Sequence, residues 1–81
     1  QTGDRVLVLG GGPIGLAVAF WARRRGAARV AVQDIAPYQD ARARAMGADA
    51  FVVDPGDPIG SAARALGGPA DIVFECVGVP G

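Results

Sequence analysis

The sequence predicts an α/β fold of order βαβαβαβ, a four-stranded parallel sheet with helices on both faces. Three observations predict it. Four short runs of β-forming residues alternate with three helical segments along 81 residues. The runs are apolar without alternation, as strands covered on both faces must be. Glycine, proline or aspartate stands at every junction, so the loops are short and no linker separates a second domain.

Arg5-Val6-Leu7-Val8-Leu9 is the first strand and stops at Gly10-Gly11-Gly12-Pro13. A helix follows from Ile14 to Arg25, with Pro13 at its first position, where a missing N–H costs nothing. Ile14, Ala17, Val18, Trp21 and Ala22 follow helical spacing and form the expected sheet-facing stripe. Leu16, Ala19 and Phe20 make a second apolar side that calls for covering by other protein. Arg23, Arg24 and Arg25 complement the helix dipole, and Gly26 ends the helix. Arg29 to Gln33 is the second strand, closed by Asp34. Pro37 to Met46 is the second helix, with Tyr38, Ala41 and Ala45 on one face and Gly47 as its stop. Ala50 to Val53 is the third strand, closed by Asp54-Pro55-Gly56. Asp57 is placed to cap a third helix from Pro58 to Leu66. Gly67-Gly68-Pro69 breaks that helix, and Asp71 to Glu75 is the fourth strand. In the expected order the fourth strand is a sheet edge, apolar and without Pro or Lys, open to pairing with another chain.

Composition excludes several function classes. Eight Arg balance eight acidic residues, giving no net charge, so a dedicated nucleic-acid surface is not expected. No apolar run reaches the ~20 residues that span a bilayer. With no His, one Cys and one Ser, the chain holds no Ser-His-Asp triad, no His-liganded metal and no internal disulfide. No catalytic residue and no metal ligand is assigned within it. The 51% hydrophobic content supports a packed core. A domain of this length buries only about 60–65% of its unfolded surface, so its stability alone is marginal. Gln1-Thr2-Gly3-Asp4 shows no initiator Met or signal segment, Val77-Gly78-Val79-Pro80-Gly81 stops on turn residues, and both ends read as cuts from a longer chain.

The chemistry resides at the first turn. Gly10-x-Gly12-x-x-Gly15 follows a strand and opens a helix, the context in which this spacing binds a dinucleotide. Gly10 permits the tight turn, Gly12 leaves room for a pyrophosphate, and Gly15 lets helix and strand pack closely. The helix N–H groups then face the phosphates. Asp34 lies 19 residues beyond Gly15, at the end of the second strand. A carboxylate there accepts from both ribose hydroxyls and repels a 2′-phosphate, and no Arg follows before Arg42. NAD is therefore expected over NADP. Each residue has a plainer alternative: glycines that serve only a turn, and an aspartate that bonds its own turn. Cys76 reads as a small packed thiol with no cation nearby to activate it, and Glu75 as a carboxylate buried at the strand end.

Gly3-Asp4-Arg5-Val6-Leu7-Val8-Leu9-Gly10-Gly11-Gly12-Pro13-Ile14-Gly15-Leu16 resembles the coenzyme-domain opening of the medium-chain dehydrogenase/reductase superfamily, in its zinc-dependent alcohol and polyol dehydrogenase form. Met46-Gly47-Ala48-Asp49-Ala50, Val53-Asp54-Pro55 and Phe74-Glu75-Cys76-Val77-Gly78 are similar to later segments of that family. The resemblance implies a partial Rossmann fold and a parent enzyme moving hydride between an alcohol and NAD with a catalytic zinc. It implies that Gly10, Gly12, Pro13, Ile14 and Gly15 form the pyrophosphate turn, with Ile14 toward the nicotinamide. Asp34 would hold the ribose, with Ile35 and Val77 beside adenine. Gln39 stands where many NAD-using members carry Lys or Arg. The zinc-binding catalytic domain and the later strands are not in these residues, so the chain alone is expected to be inactive. The implied setting is cytoplasmic and homo-oligomeric, with the cofactor and the missing catalytic domain as partners. Two rivals stay open: a zinc-independent quinone or enoyl reductase of the same superfamily, and a non-catalytic nucleotide-sensing module.

Overall fold

Uninterrupted valine, leucine and alanine make the two central strands, β1 (Arg5–Leu9) and β2 (Arg29–Gln33). β3 (Ala50–Val52) and β4 (Ile72–Glu75) flank them in the order β3-β2-β1-β4, every pair parallel. This is the expected order. The computed structural model describes residues 3–10, 12–53 and 56–76. Helices α1 (Pro13–Arg24) and α2 (Asp40–Ala45) lie over one face, and α3 (Pro58–Leu66) over the other. Side chains alternate accordingly. Val6, Val8, Val30 and Val32 pack with Ala19, Ala22 and Ala43, while Leu7 and Ala31 pack with Ala62 and Leu66. Val6 to Val8 and Val30 to Val32 are fully buried, which is why these strands read as continuous apolar runs.

Two aspartates tie down the outer strands by the same device. Asp71 N donates to Arg5 O at 2.8 Å, and Asp71 Oδ2 accepts from Arg5 N at 2.8 Å. Asp49 N donates to Val30 O at 2.7 Å, and its Oδ2 accepts from Val30 N at 2.8 Å and from Arg23 Nη1 at 3.1 Å. One residue thereby satisfies both backbone groups of the neighbouring strand. Asp71 stands before β4, and Val53 lies beyond β3, so both strands are one residue shorter than expected.

Three expectations need correction. The face of α1 on the sheet carries Gly15, Ala19 and Ala22, while Ile14, Ala17, Phe20 and Trp21 are exposed. Size misled the helical pattern: the smallest residues face the sheet because the helix sits close to it. Ala19 and the half-buried Leu16 therefore belong to the core side. The second helix opens as a 3-10 turn at Pro37–Gln39 before α2 begins at Asp40. Its buried residues are Gln39 and Ala43; Tyr38, Ala41 and Ala45 face outward. Tyr38 is 70% exposed and lies beneath the Arg42 guanidinium, 5.8 Å from its ring centre. Glu75 is exposed along β4, not buried. The third helix and its Asp57 cap stand as expected, with Gly60 N donating to Asp57 Oδ1 at 3.1 Å.

Gln39 Oε1 is buried with no hydrogen-bond partner among the described residues. An unsatisfied buried acceptor costs about 1–3 kcal/mol, and methionine of similar volume carries no such group. Gln39→Met is expected to raise the unfolding free energy by about 1 kcal/mol, read as a higher urea midpoint at unchanged slope. A lower midpoint would mean that Oε1 has a partner in solution.

Candidate functional site

Backbone hydrogen bonds continue the sheet ladder past the strands and bring the candidate residues into one row. Gly10 N donates to Gln33 O at 2.6 Å, Asp34 N to Val52 O at 3.1 Å, and Cys76 N to Leu9 O at 2.8 Å. Gly10, Asp34 and Cys76 therefore stand side by side at the carboxyl edge, where open α/β sheets receive ligands.

Gly10, Gly12 and Gly15 divide by what the fold demands of them. Gly10 has φ of +110°, a conformation that strains any L side chain. Gly15 is buried, and a Cβ there would overlap the Gly10 carbonyl oxygen and crowd its carbon at 2.8 Å. Gly12 has an ordinary φ of −73°, and a Cβ on it would meet nothing within 4 Å. Turn and packing account for Gly10 and Gly15; neither accounts for Gly12.

Gly12 is also the N-cap of α1. Glycine brings no side chain to cap that end, and no acidic residue lies in the first turn. The helix therefore presents its uncompensated N–H groups and the positive end of its dipole beside an open space. α3 starts on Pro58 much as α1 starts on Pro13, yet its first turn is closed by the Asp57 carboxylate.

Asp34, half-buried, closes a local turn: Ala36 N donates to Asp34 Oδ1 at 2.9 Å. The plainer role foreseen for this residue is thus real. A carboxylate has about four acceptor positions on two oxygens, so this bond leaves capacity for further donors. Ile35 follows at 73% exposure, an apolar surface beside the carboxylate. Pro13 is exposed. Ile14, 44% exposed, lines an apolar groove of about 270 Å³ with Ala17, Val18, Trp21, Arg25 and Phe74, between α1 and β4. Val77 lies outside the described residues, as do Gly11, Asp54 and Pro55. The sequence foretold a turn closed by Asp34 but not its donor, the Ala36 N–H; an aspartate three residues before a proline, the Asp34 to Pro37 spacing, was the available signal.

Cys76 packs partly buried against the core. Burial first, and then the Glu75 carboxylate, push its thiol above the ordinary range. Both favour the protonated form, so the thiol is a poor nucleophile at neutral pH.

Comparison with known proteins places these features in a family. The family model for zinc-binding dehydrogenases matches residues 13–81. The chain is 39% identical over its whole length to alcohol dehydrogenase-like 6 of Arabidopsis thaliana, covering 22% of that protein. Over 99% of its length it is 35% identical to (R,R)-butanediol dehydrogenase of Bacillus subtilis, covering 23%. A zinc-binding dehydrogenase structure from Sinorhizobium meliloti 1021, bound to NADP, superposes with a TM-score of 0.85 at 37% identity; the match covers 98% of this chain and 24% of that one. The chain belongs to the zinc-binding dehydrogenase family and spans about a fifth of the length of the relatives it matches. Its residues do not fit a zinc centre: the sequence has no His and one Cys, and no three candidate ligands cluster among the described residues. No described helix is long and apolar enough to cross a membrane.

Two measurements check the site. Gly15→Ala is expected to cost about 3 kcal/mol, because backbone and not a movable side chain opposes the new Cβ. Gly12→Ala should change stability by less than about 1 kcal/mol. Equal losses in urea titrations would refute the distinction between them. For Cys76, iodoacetamide alkylation should be slow at neutral pH, with its rate rising only above the pH at which an ordinary thiol ionises. Glu75→Gln should move that rise to lower pH.

Proposed function

We propose that this chain is the NAD-binding portion of a dehydrogenase that moves hydride between an alcohol or polyol and the cofactor. Gly12 carries the reading: of Gly10, Gly12 and Gly15 it is the one that neither backbone geometry nor packing requires, and it stands as the N-cap of α1 without a side chain to cap it. A pyrophosphate set there would accept from the helix N–H groups, which the dipole makes favourable for an anion. Gly10 and Gly15 shape the approach, with Pro13 and Ile14 in the first helical turn. Asp34 would accept from the adenosine ribose hydroxyls, and Ile35 and Val77 would flank the adenine.

The choice of NAD rests on Asp34. A carboxylate pairs with two hydroxyls and repels a 2′-phosphate, although one structural relative holds NADP. When bound, the nicotinamide supplies the hydride acceptor; the residues of this chain bind and orient it. The butanediol and alcohol dehydrogenase relatives support a hydroxyl-bearing substrate. Zinc and the substrate contacts belong to a catalytic domain outside these 81 residues, so the chain alone turns over no alcohol.

The test is equilibrium binding of NADH and NADPH to the 81-residue chain, followed by nicotinamide fluorescence. NADH should bind more tightly. Asp34→Ser should weaken NADH by roughly ten- to a hundredfold, the worth of a charge-assisted hydrogen bond of about 1.5–3 kcal/mol. Gly12→Val should abolish binding while the protein stays folded. Tighter binding of NADPH by the wild-type chain would overturn the choice of NAD.

A further inference from the structure

We propose that the backbone N–H of Ala36 is a positioning group that fixes the Asp34 carboxylate before any cofactor arrives, and so sets the preference between the two nicotinamide dinucleotides in advance. The inference rests on the dinucleotide reading above. Asp34 is held at two points. Its own N–H bonds Val52 O at 3.1 Å, which fixes its backbone to β3. Its Oδ1 accepts from Ala36 N at 2.9 Å, which fixes the side-chain torsion. Ala36 is fixed in turn. Its carbonyl accepts from Gln39 N at 3.1 Å, and its extended conformation, φ −100° and ψ 104°, is the one that a following proline, here Pro37, favours.

Two consequences follow. A carboxylate already held in one rotamer loses no side-chain freedom when ribose hydroxyls bind it, so affinity gains by pre-organisation. The Ala36 N–H, at the start of the 3-10 turn, would be a donor for a 2′-phosphate if it were open; the Asp34 carboxylate occupies it. The same bond therefore favours a diol and withholds a donor from a phosphate. Removing it should weaken the diol-bearing dinucleotide without weakening the phosphorylated one.

Ala36→Pro removes the N–H, and Ala36→Gly keeps it. In titrations of the 81-residue chain, Ala36→Pro should weaken NADH by about tenfold and leave NADPH unchanged, while Ala36→Gly stays within about twofold of wild type for both. A second proline beside Pro37 strains the turn, so the unsubstituted chain supplies an independent readout. Amide hydrogen exchange at Ala36, resolved by NMR, should be at least about tenfold slower than for an unstructured amide, with and without NADH. Equal weakening of both dinucleotides, no weakening of either, or rapid Ala36 exchange in the free chain would each overturn the positioning role. A wild-type chain with no saturable NADH binding would remove the dinucleotide reading as well; wild-type binding with an unmoved NADH-to-NADPH ratio removes only the role of Ala36.

Discussion

Everything at the carboxyl edge depends on one close approach, that of the α1 backbone at Gly15 to the Gly10 carbonyl. No other residue type fits there, because the first side-chain carbon would occupy the oxygen's position. With Gly15 against the end of β1, helical geometry puts Ala19 and Ala22 on the sheet at four and seven residues further on. The helix axis is thereby fixed, and its first turn opens directly over the strand end. Gly10 makes this possible from the other side by adopting a positive φ. The contact is at once a packing constraint and the reason that the helix start lies at the carboxyl end of β1.

Close packing by small residues continues through the core. Ala19, Ala22 and Ala43 lie between helices and sheet on one face, and Ala62 with Leu66 anchors α3 on the other. Such an interior gains less from apolar area than one filled with leucine or phenylalanine. Directional bonds matter more in return. Asp49 and Asp71 fasten β3 and β4 to the central pair, and the Arg5 side chain donates from Nε to Leu66 O at the end of α3, 3.2 Å away. The large apolar side chains that the interior leaves out, Ile14, Phe20 and Trp21, lie on the exposed side of α1, with Arg24 over both aromatic rings.

Element order, sheet order and the third helix with its cap were legible because each is written in local chemistry: a strand run, a proline at the first helical position, an aspartate before it. The face of α1 was not legible from hydrophobic spacing. Spacing ranks residues by how much they gain from burial, whereas Gly15 ranks them by how close the backbone must come, and the second criterion won. The inward turn of Gln39 escaped for a related reason. A 3-10 turn rotates the residues before α2 relative to ideal helical positions, so Tyr38 swings outward and the amide beside it goes in. At the site, Gly10, Gly12, Gly15 and Asp34 were readable from spacing, and the structure gathers Gly10 and Asp34 on one edge. The Asp34 to Pro37 spacing marks a turn, but a backbone donor has no residue type of its own, so the spacing does not single out the Ala36 N–H.

The two proline-led helices separate what stability asks from what an open site asks. Asp57 gives α3 a carboxylate cap that satisfies Gly60 N and neutralises the dipole. A carboxylate at position 12 would do the same for α1, and would fill the space that Gly12 leaves open. Glycine at an N-cap costs only a few tenths of a kcal/mol relative to the better capping residues, so the helix tolerates the exchange. Residues that depart from the locally best choice without a packing reason mark sites where something else is accommodated. Gly12 is such a residue, and the asymmetry with Asp57 can be read within this one chain. The fold would accept a cap at both helices; Asp57 supplies one to α3, and Gly12 supplies none to α1.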